Sequence, residues 1–208
     1  MDTYFVEKIR QNAEKYPDRI AAALDFCEEP MTYSNLWEQS GRIYGACKEK
    51  GLGREDFIML LLPRSPKMFA AMLGVLRAGA AFIFMEDTYP EERIRMICDD
   101  LNVKFTLNLS AYEEAMNHPP LSGYEQTNPH DACVSFSTSG TTGKPKTMIH
   151  EYGKLDVCLD SWYADVPNIH EESPENFGMI FPFNFAAAFV LPLPRLYAAK
   201  TITIYGFI

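Results

Sequence analysis

No stretch of this chain approaches the roughly 18 uninterrupted apolar residues that a membrane-spanning helix needs. Apolar runs such as Phe57–Leu62 and Phe185–Leu191 have the length of a buried strand and a buried helix. Positive charge is also scarce: 19 Lys and Arg stand against 28 Asp and Glu, a net charge of −9. That balance argues against nucleic acid or an anionic membrane as partner and leaves any phosphate site to a local cluster of donors. Met1–Lys8 contains no apolar signal region, so a cytoplasmic protein is the expectation. The five cysteines (Cys27, Cys47, Cys98, Cys133, Cys158) are odd in number and include no C-x-x-C pair. Disulfide frameworks and zinc sites want paired, close spacings. These thiols therefore read as small buried hydrophobes in a reducing compartment. The four histidines have no metal-ligand spacing either, and there is no internal repeat or low-complexity tract.

What is present is ordinary globular composition, 47% apolar and 23% charged. Phe5, Ile9, Ala13 and Tyr16 fall on one helical face, with Pro17 as the stop. Ser34 is placed to cap a second helix that buries Leu36, Trp37, Ser40, Ile43, Tyr44 and Cys47 and ends near Gly51. A third has Ser65 at the cap, Pro66 at the first helical position, Met68, Met72, Val75 and Leu76 on one face, and Gly79 beyond the last turn. A fourth opens with Thr88 and Glu91 in capping-box spacing and buries Ile94, Ile97, Cys98 and Leu101. Between them lie the short apolar runs Ala21–Phe26, Phe57–Leu62, Ala80–Phe84, Lys104–Leu109 and Ala132–Phe136. Runs without clean alternation, separated by helices, are what a parallel sheet covered on both faces produces. The pattern predicts a layered α/β fold with parallel-rich sheets.

Residues 118–131, with Pro119, Pro120, Ser122, Gly123, Asn128 and Pro129, read as a polar connector. They separate a first α/β sublobe, 1–117, from a second, incomplete one, 132–208. The second is expected to contain strands at Thr147–Glu151, Met179–Phe181 and Thr201–Tyr205, with helices over Gly153–Ala164 and from about Phe185. A β-α-β unit closes at the last strand with no helix after it, so a truncated domain is the expectation.

The chemistry concentrates in Ser137-Thr138-Ser139-Gly140-Thr141-Thr142-Gly143-Lys144-Pro145-Lys146. Hydroxyls, glycines that allow close backbone approach, and two lysines all donate hydrogen bonds or positive charge, and nothing here is acidic. A polyphosphate suits such a loop. It is not a Walker A loop, because two residues rather than four separate Gly140 from Gly143 and Pro145 follows Lys144. Apolar strands are expected on both sides, so the grip comes from amides and hydroxyls without a helix dipole. A flexible Gly/Ser/Thr hairpin is the bland alternative.

This segment resembles the signature phosphate loop of the adenylate-forming superfamily. Two more segments agree in the same order. Met31-Thr32-Tyr33-Ser34-Asn35-Leu36 is similar to the early "TYxEL" element. Leu76-Arg77-Ala78-Gly79-Ala80-Ala81-Phe82 and Thr88-Tyr89-Pro90-Glu91-Glu92-Arg93-Ile94 are similar to "LKAGAAYVPLDPxYPxERI". The last is specific to the branch of nonribosomal peptide synthetase adenylation domains and D-alanine-activating ligases. Departures are Phe84 for Pro, Glu86 for Asp, Thr147 for Gly and Tyr152 for His.

The resemblance implies an AMP-forming ligase. ATP and a carboxylate give an acyl-adenylate and pyrophosphate, and a thiol (coenzyme A or a carrier-protein phosphopantetheine) or another acceptor then takes the acyl group. ATP with Mg2+ is the implied cofactor set, and a small carboxylic acid the implied substrate. Thr138, Ser139, Gly140, Thr141, Thr142 and Gly143 would hold the phosphates, with Lys144 and Lys146 adding charge as pyrophosphate leaves. Phe183 and Asn184 match the family's Phe-Asp pair, whose aspartate meets a substrate α-ammonium. The neutral Asn184 suits a carboxylate without that group, such as an aryl or hydroxy acid, and Asn184 as a helix cap is the alternative. Phe181, Phe183 and Phe185 suit an apolar ring or simply a strand face. No metal ligand is assigned in this chain. The family's catalytic lysine and adenine and ribose elements are not found in it, so inactivity of the 208 residues alone is expected, with self-association through exposed surface. A stand-alone nucleotide-binding or regulatory module, and a structural remnant, remain open readings here.

Overall fold

The computed structural model describes residues 4–25, 27–86, 88–138, 146–165, 176–183 and 185–205. In chain order the elements are α1 (Tyr4–Lys15), β1 (Ile20–Leu24), β2 (Cys27–Thr32), α2 (Tyr33–Glu49), β3 (Phe57–Leu61) and α3 (Lys67–Arg77). Next come β4 (Ala81–Phe84), α4 (Glu91–Leu101), β5 (Phe105–Asn108), α5 (Leu109–Ala115), β6 (Ala132–Thr138) and β7 (Lys146–Glu151). The chain continues through α6 (Tyr152–Asp165), β8 (Asn176–Met179), α7 (Ala186–Val190), α8 (Pro192–Tyr197) and β9 (Thr201–Ile204).

Two sheets organise these elements. The larger has the order β5-β3-β4-β6-β7, and the smaller β2-β1-β9-β8. In the larger sheet β5, β3, β4 and β6 are parallel, and only β7 runs back antiparallel to β6. In the smaller, β1, β9 and β8 are parallel and β2 is the antiparallel edge. Each sheet draws strands from both sides of the 118–131 connector, since β6 pairs with β4 and β9 pairs with β1. The α/β class with parallel-rich sheets is thus the architecture found.

Burial follows from the pleat. Ile58, Leu60, Phe82 and Phe84 point into one apolar cluster, while Phe57, Met59, Ala81 and Ile83 point into another on the opposite face. Successive side chains of a strand alternate sides, so a strand covered on both faces must be apolar throughout. The helix α3 between these strands is buried from Met68 to Arg77 without a break. It lies so close to α2 that a Cβ on Gly74 would meet Ile43 Cβ at 2.6 Å.

Several local expectations are corrected. The cap of α2 is Thr32, whose hydroxyl accepts from Asn35 N at 3.1 Å, not Ser34. Pro66 and Pro90 occupy the cap positions of α3 and α4 without a side-chain bond, and Ser65 Oγ bonds back to Pro63 O at 3.2 Å. Proline fixes φ near −65° and has no N–H to satisfy, so it starts a helix without a hydroxyl cap. The elements β2 and α5 were not expected at all. The strand near 179–181 lies earlier, at Asn176–Met179, and the helix from 185 is two short helices, α7 and α8.

Candidate phosphate hairpin

The loop expected to bind phosphate joins β6 to β7. Their register runs from Val134↔His150 through Phe136↔Met148 to Thr138↔Lys146. Thr138 and Lys146 are therefore cross-strand partners at the open end of the hairpin, with Lys146 exposed. Ser139, Gly140, Thr141, Thr142, Gly143 and Lys144 lie outside the described residues, as does Asn184.

Because β5, β3, β4 and β6 run the same way, the segments that follow them emerge along one edge of the sheet. Thr138 ends β6, Glu86 follows β4, and Arg64 follows β3. In open α/β sheets the crevice outside the carboxyl ends of the strands is where ligands bind. The face of β6 towards α4 has the polar groups Ser135 and Ser137. Among the described residues their buried hydroxyl oxygens have no partner, and neither has Arg93 Nε. A void of about 10 Å³ lies among Phe84, Met85, Tyr89, Arg93, Ile97 and Ser137, room on the order of one water. The Arg93 guanidinium lies 4.7 Å from the Tyr89 ring centroid. On β7, Thr147 Oγ1 donates to Asp100 Oδ2 of α4, tying the hairpin to that helix.

Phe183 is built into the core. Its ring is 1% exposed and packs at 5.6 Å from Phe69 and 5.5 Å from Phe84, centroid to centroid. Phe185 is 58% exposed and stacks on Phe181 at 6.4 Å. The three phenylalanines therefore do not share one wall.

Arg64, which sequence reasoning passed over, holds this segment. Its Nε donates to Tyr205 O at 2.8 Å, Nη2 to Met179 O at 2.9 Å, and Nη1 to Phe181 O. The guanidinium sits 5.7 Å from the Phe183 ring centroid. Burial pushes its pKa down, against the opposing pull of Glu86. Arg64 thus fixes the ends of β8 and β9 beside the carboxyl end of β3. The available signal was a charged residue between an apolar strand and a helix start. The Tyr152 hydroxyl donates to Ala80 O at 2.8 Å and is fully enclosed, and burial raises its pKa well above the ordinary value. It links the start of α6 to the turn before β4. Among the described residues no group of three His, Cys, Asp or Glu side chains converges as a metal site, and no helix is long and apolar enough to cross a membrane.

Comparison with known proteins agrees with this geometry. Tyrocidine synthase 3 of Brevibacillus parabrevis is 30% identical over 184 residues, which are 79% of this chain and 3% of the synthase. The chain thus spans a small fraction of the length of such curated relatives. Among solved structures, the N-terminal subdomain of Klebsiella oxytoca NpsA, in complex with 3-hydroxyanthranilyl-AMSN, superposes with a TM-score of 0.81 at 21% identity. That match covers 96% of this chain and 52% of NpsA's. The N-terminal domain of FACL13 from Mycobacterium tuberculosis gives a TM-score of 0.86 at 17% identity, covering 98% and 57%. The family described as AMP-binding enzyme matches residues 9–206. The match takes in most of the chain, which belongs to the AMP-binding enzyme family, and the nonribosomal peptide synthetase apmB of Penicillium brevicompactum is among the proteins it is similar to, 28% identical over 160 residues that are 69% of this chain and 7% of the synthetase.

Proposed function

We propose that this chain supplies the phosphate-binding half of an ATP-dependent, AMP-forming adenylating domain, acting on a carboxylate without an α-ammonium, such as an aryl or hydroxy acid. The observation that carries the reading is the pairing of Thr138 with Lys146 at the carboxyl edge of the parallel strands, within the family match. There the amides and hydroxyls of residues 138–143 hold the β- and γ-phosphates. Lys144 and Lys146 offset the charge that develops as pyrophosphate departs, a stabilisation that needs donors fixed in advance. Magnesium would arrive with ATP and screen its phosphates. The acyl group then passes to a thiol of coenzyme A or a carrier protein. Asn184 supports the substrate class. A neutral amide contributes about 0.5–1.5 kcal/mol per hydrogen bond, against about 1.5–3 for a bond to a charged group, so an α-ammonium would be poorly met.

Three experiments test the reading. Pyrophosphate added to the 208-residue chain should shift the amides of Gly140–Gly143, with a Kd no better than about 1 mM. The Lys144→Ala/Lys146→Ala double variant should lose the response. Silent loop amides would remove the phosphate role. The same polypeptide should not catalyse substrate-dependent ATP–pyrophosphate exchange above a Lys146→Ala control. With a complete adenylating domain built on this chain, hydroxamate trapping should favour acids lacking the α-amino group, and Asn184→Asp should move the preference towards amino acids. A parent preference for amino acids would overturn the substrate class.

A further inference from the structure

Behind the hairpin, on the face of β6 away from α4, lies a cavity of about 180 Å³. Its walls are Val134, Phe136, Leu155, Leu159, Phe189 and Leu193, with Ala186 and Val190 of α7 beside them. We infer that this cavity is a binding site for a single aromatic ring bearing a carboxylate, separate from the Phe183–Asn184 element that the proposed activity uses.

Size comes first. Apolar cavities of roughly 150 Å³ lined by Leu, Ile and Phe stay dry and take up benzene. A slightly larger one has room for a substituted ring. The aromatic wall adds direction. Phe136 lies edge-on to Phe189, centroids 5.7 Å apart at 61°, and Phe82 stands to Phe189 at 5.6 Å and 60°. The His150 ring meets Phe136 at 5.6 Å and 72°. Rings placed edge to face prefer a further aromatic guest over an aliphatic one of equal area.

Charge then selects among rings. The polar side chains in the wall are His150, Lys154 and Cys158, and none is acidic. Lys154 is 63% exposed, which puts its ammonium at the mouth and not in the apolar interior. Glu151, outside the wall, lies 3.8 Å from Lys154 Nζ and also approaches His130, so it shares Lys154 without closing the cavity. A long pair of that kind between exposed groups holds little energy, and a ligand carboxylate can compete for the lysine.

The site is distinct from the proposed acyl element because the Phe183 ring is enclosed by Phe69 and Phe84 and is no part of this wall. It is nonetheless close to the phosphate hairpin. Phe136 precedes Thr138 by two residues on β6, about 7 Å along a strand. An occupant would contact β6, β7, α6 and α7 at once.

The test uses 4-fluorobenzoate and fluorobenzene, titrated separately into the 208-residue chain and read by fluorine NMR. Both should bind saturably, the carboxylate several-fold more tightly. Lys154→Gln should abolish that preference and leave fluorobenzene unchanged. Leu159→Trp, which fills the cavity, should weaken both by about tenfold or more, equivalent to 1.4 kcal/mol. If Leu159→Trp fails to fold, Ala186→Leu fills the site from the opposite wall and is read in the same way. Absence of saturable binding by either probe, retention of binding in a folded filling variant, or an intact carboxylate preference in Lys154→Gln would each overturn the inference. None of these outcomes depends on pyrophosphate, so the phosphate role and this site can fail independently.

Discussion

Strands β4 and β7 belong to one sheet and differ in almost everything else. All four residues of β4 are buried, sealed between two apolar clusters. In β7, Met148 and Ile149 remain 48% and 49% exposed, and Lys146 lies open at the hairpin's end. The first strand is flanked by strands and by buried helices, and the second, among the described residues, has a neighbour on one side only. The comparison teaches where rigidity and chemistry part. The β3–α3–β4 unit is a fixed base, while the segments proposed to bind ligands hang from its less packed margin, where local opening costs least.

The largest expected effect comes from breaking the base. Arg77 is fully buried, its guanidinium 3.6 Å from the Trp37 ring centroid. It donates to Trp37 O at 2.7 Å, Ser40 Oγ at 2.9 Å and Gly123 O at 3.0 Å, and also to Leu121 O. Burial pushes its pKa down to about 9, so the carbonyls that surround it are what make the charge tolerable. Arg77→Ala leaves those acceptors unpaired and a hole beside Trp37. A loss of about 3 kcal/mol or more is expected in urea denaturation. A loss below about 1 kcal/mol would show that water replaces the guanidinium freely.

A middle effect is expected where the connector enters β6. Asp131 accepts from Arg54 Nε and Nη2 at 2.7 and 2.8 Å and from Asn128 N at 2.7 Å. These bonds, the arginine's above all, hold its carboxyl below the ordinary value of 3.8. A depressed folded pKa stabilises above the unfolded value and loses that contribution as pH falls through the folded one. Arg54 is half exposed, so Asp131→Asn should cost only about 1 kcal/mol at neutral pH. The gap between parent and variant should close below pH 3.8. A gap independent of pH would assign the effect to packing instead of charge.

The smallest effect on stability belongs to the margin. Met148→Thr/Ile149→Thr should leave folding free energy within about 0.5 kcal/mol of the parent, as exposed substitutions do. The chain is expected to self-associate through apolar edge surface, and sedimentation velocity should show the double variant shifted towards monomer. A parent that is monomeric at every concentration would remove this difference between the two strands.

How much of this was legible follows from the range of the forces involved. The third helix could be read because its periodic apolar face, Pro66 and Gly79 are all local signals, and Gly79 does adopt φ +71°. The strands on either side of the segment proposed to bind phosphate were legible for the same reason. Strand β2 was not, because Cys27-Glu28-Glu29-Pro30-Met31-Thr32 is polar and contains a proline, which an edge strand accommodates. Helix α5 has only seven residues and is capped by Asn108, inside what reads as the end of a strand. Arg64 and Arg77 escaped because their acceptors lie 115–141 and 37–46 residues away. No local pattern announces that a charge will be surrounded by carbonyls from such distances.

The pairing of β1 with β9 has a consequence in time. Ala22, Ala23 and Leu24 find their parallel partners only at Ile202, Thr203 and Ile204. Asn12 reaches Leu196 O and Tyr197 O at 2.9 and 3.0 Å across a similar span of chain. At ribosomal speeds of about 5–20 residues per second, β1 waits on the order of 10–40 s for its neighbour to be made. The larger sheet needs nothing beyond residue 151 for its strands and can assemble first. The smaller sheet closes last, and through that interval the open side of β1 is available to any other extended chain it meets.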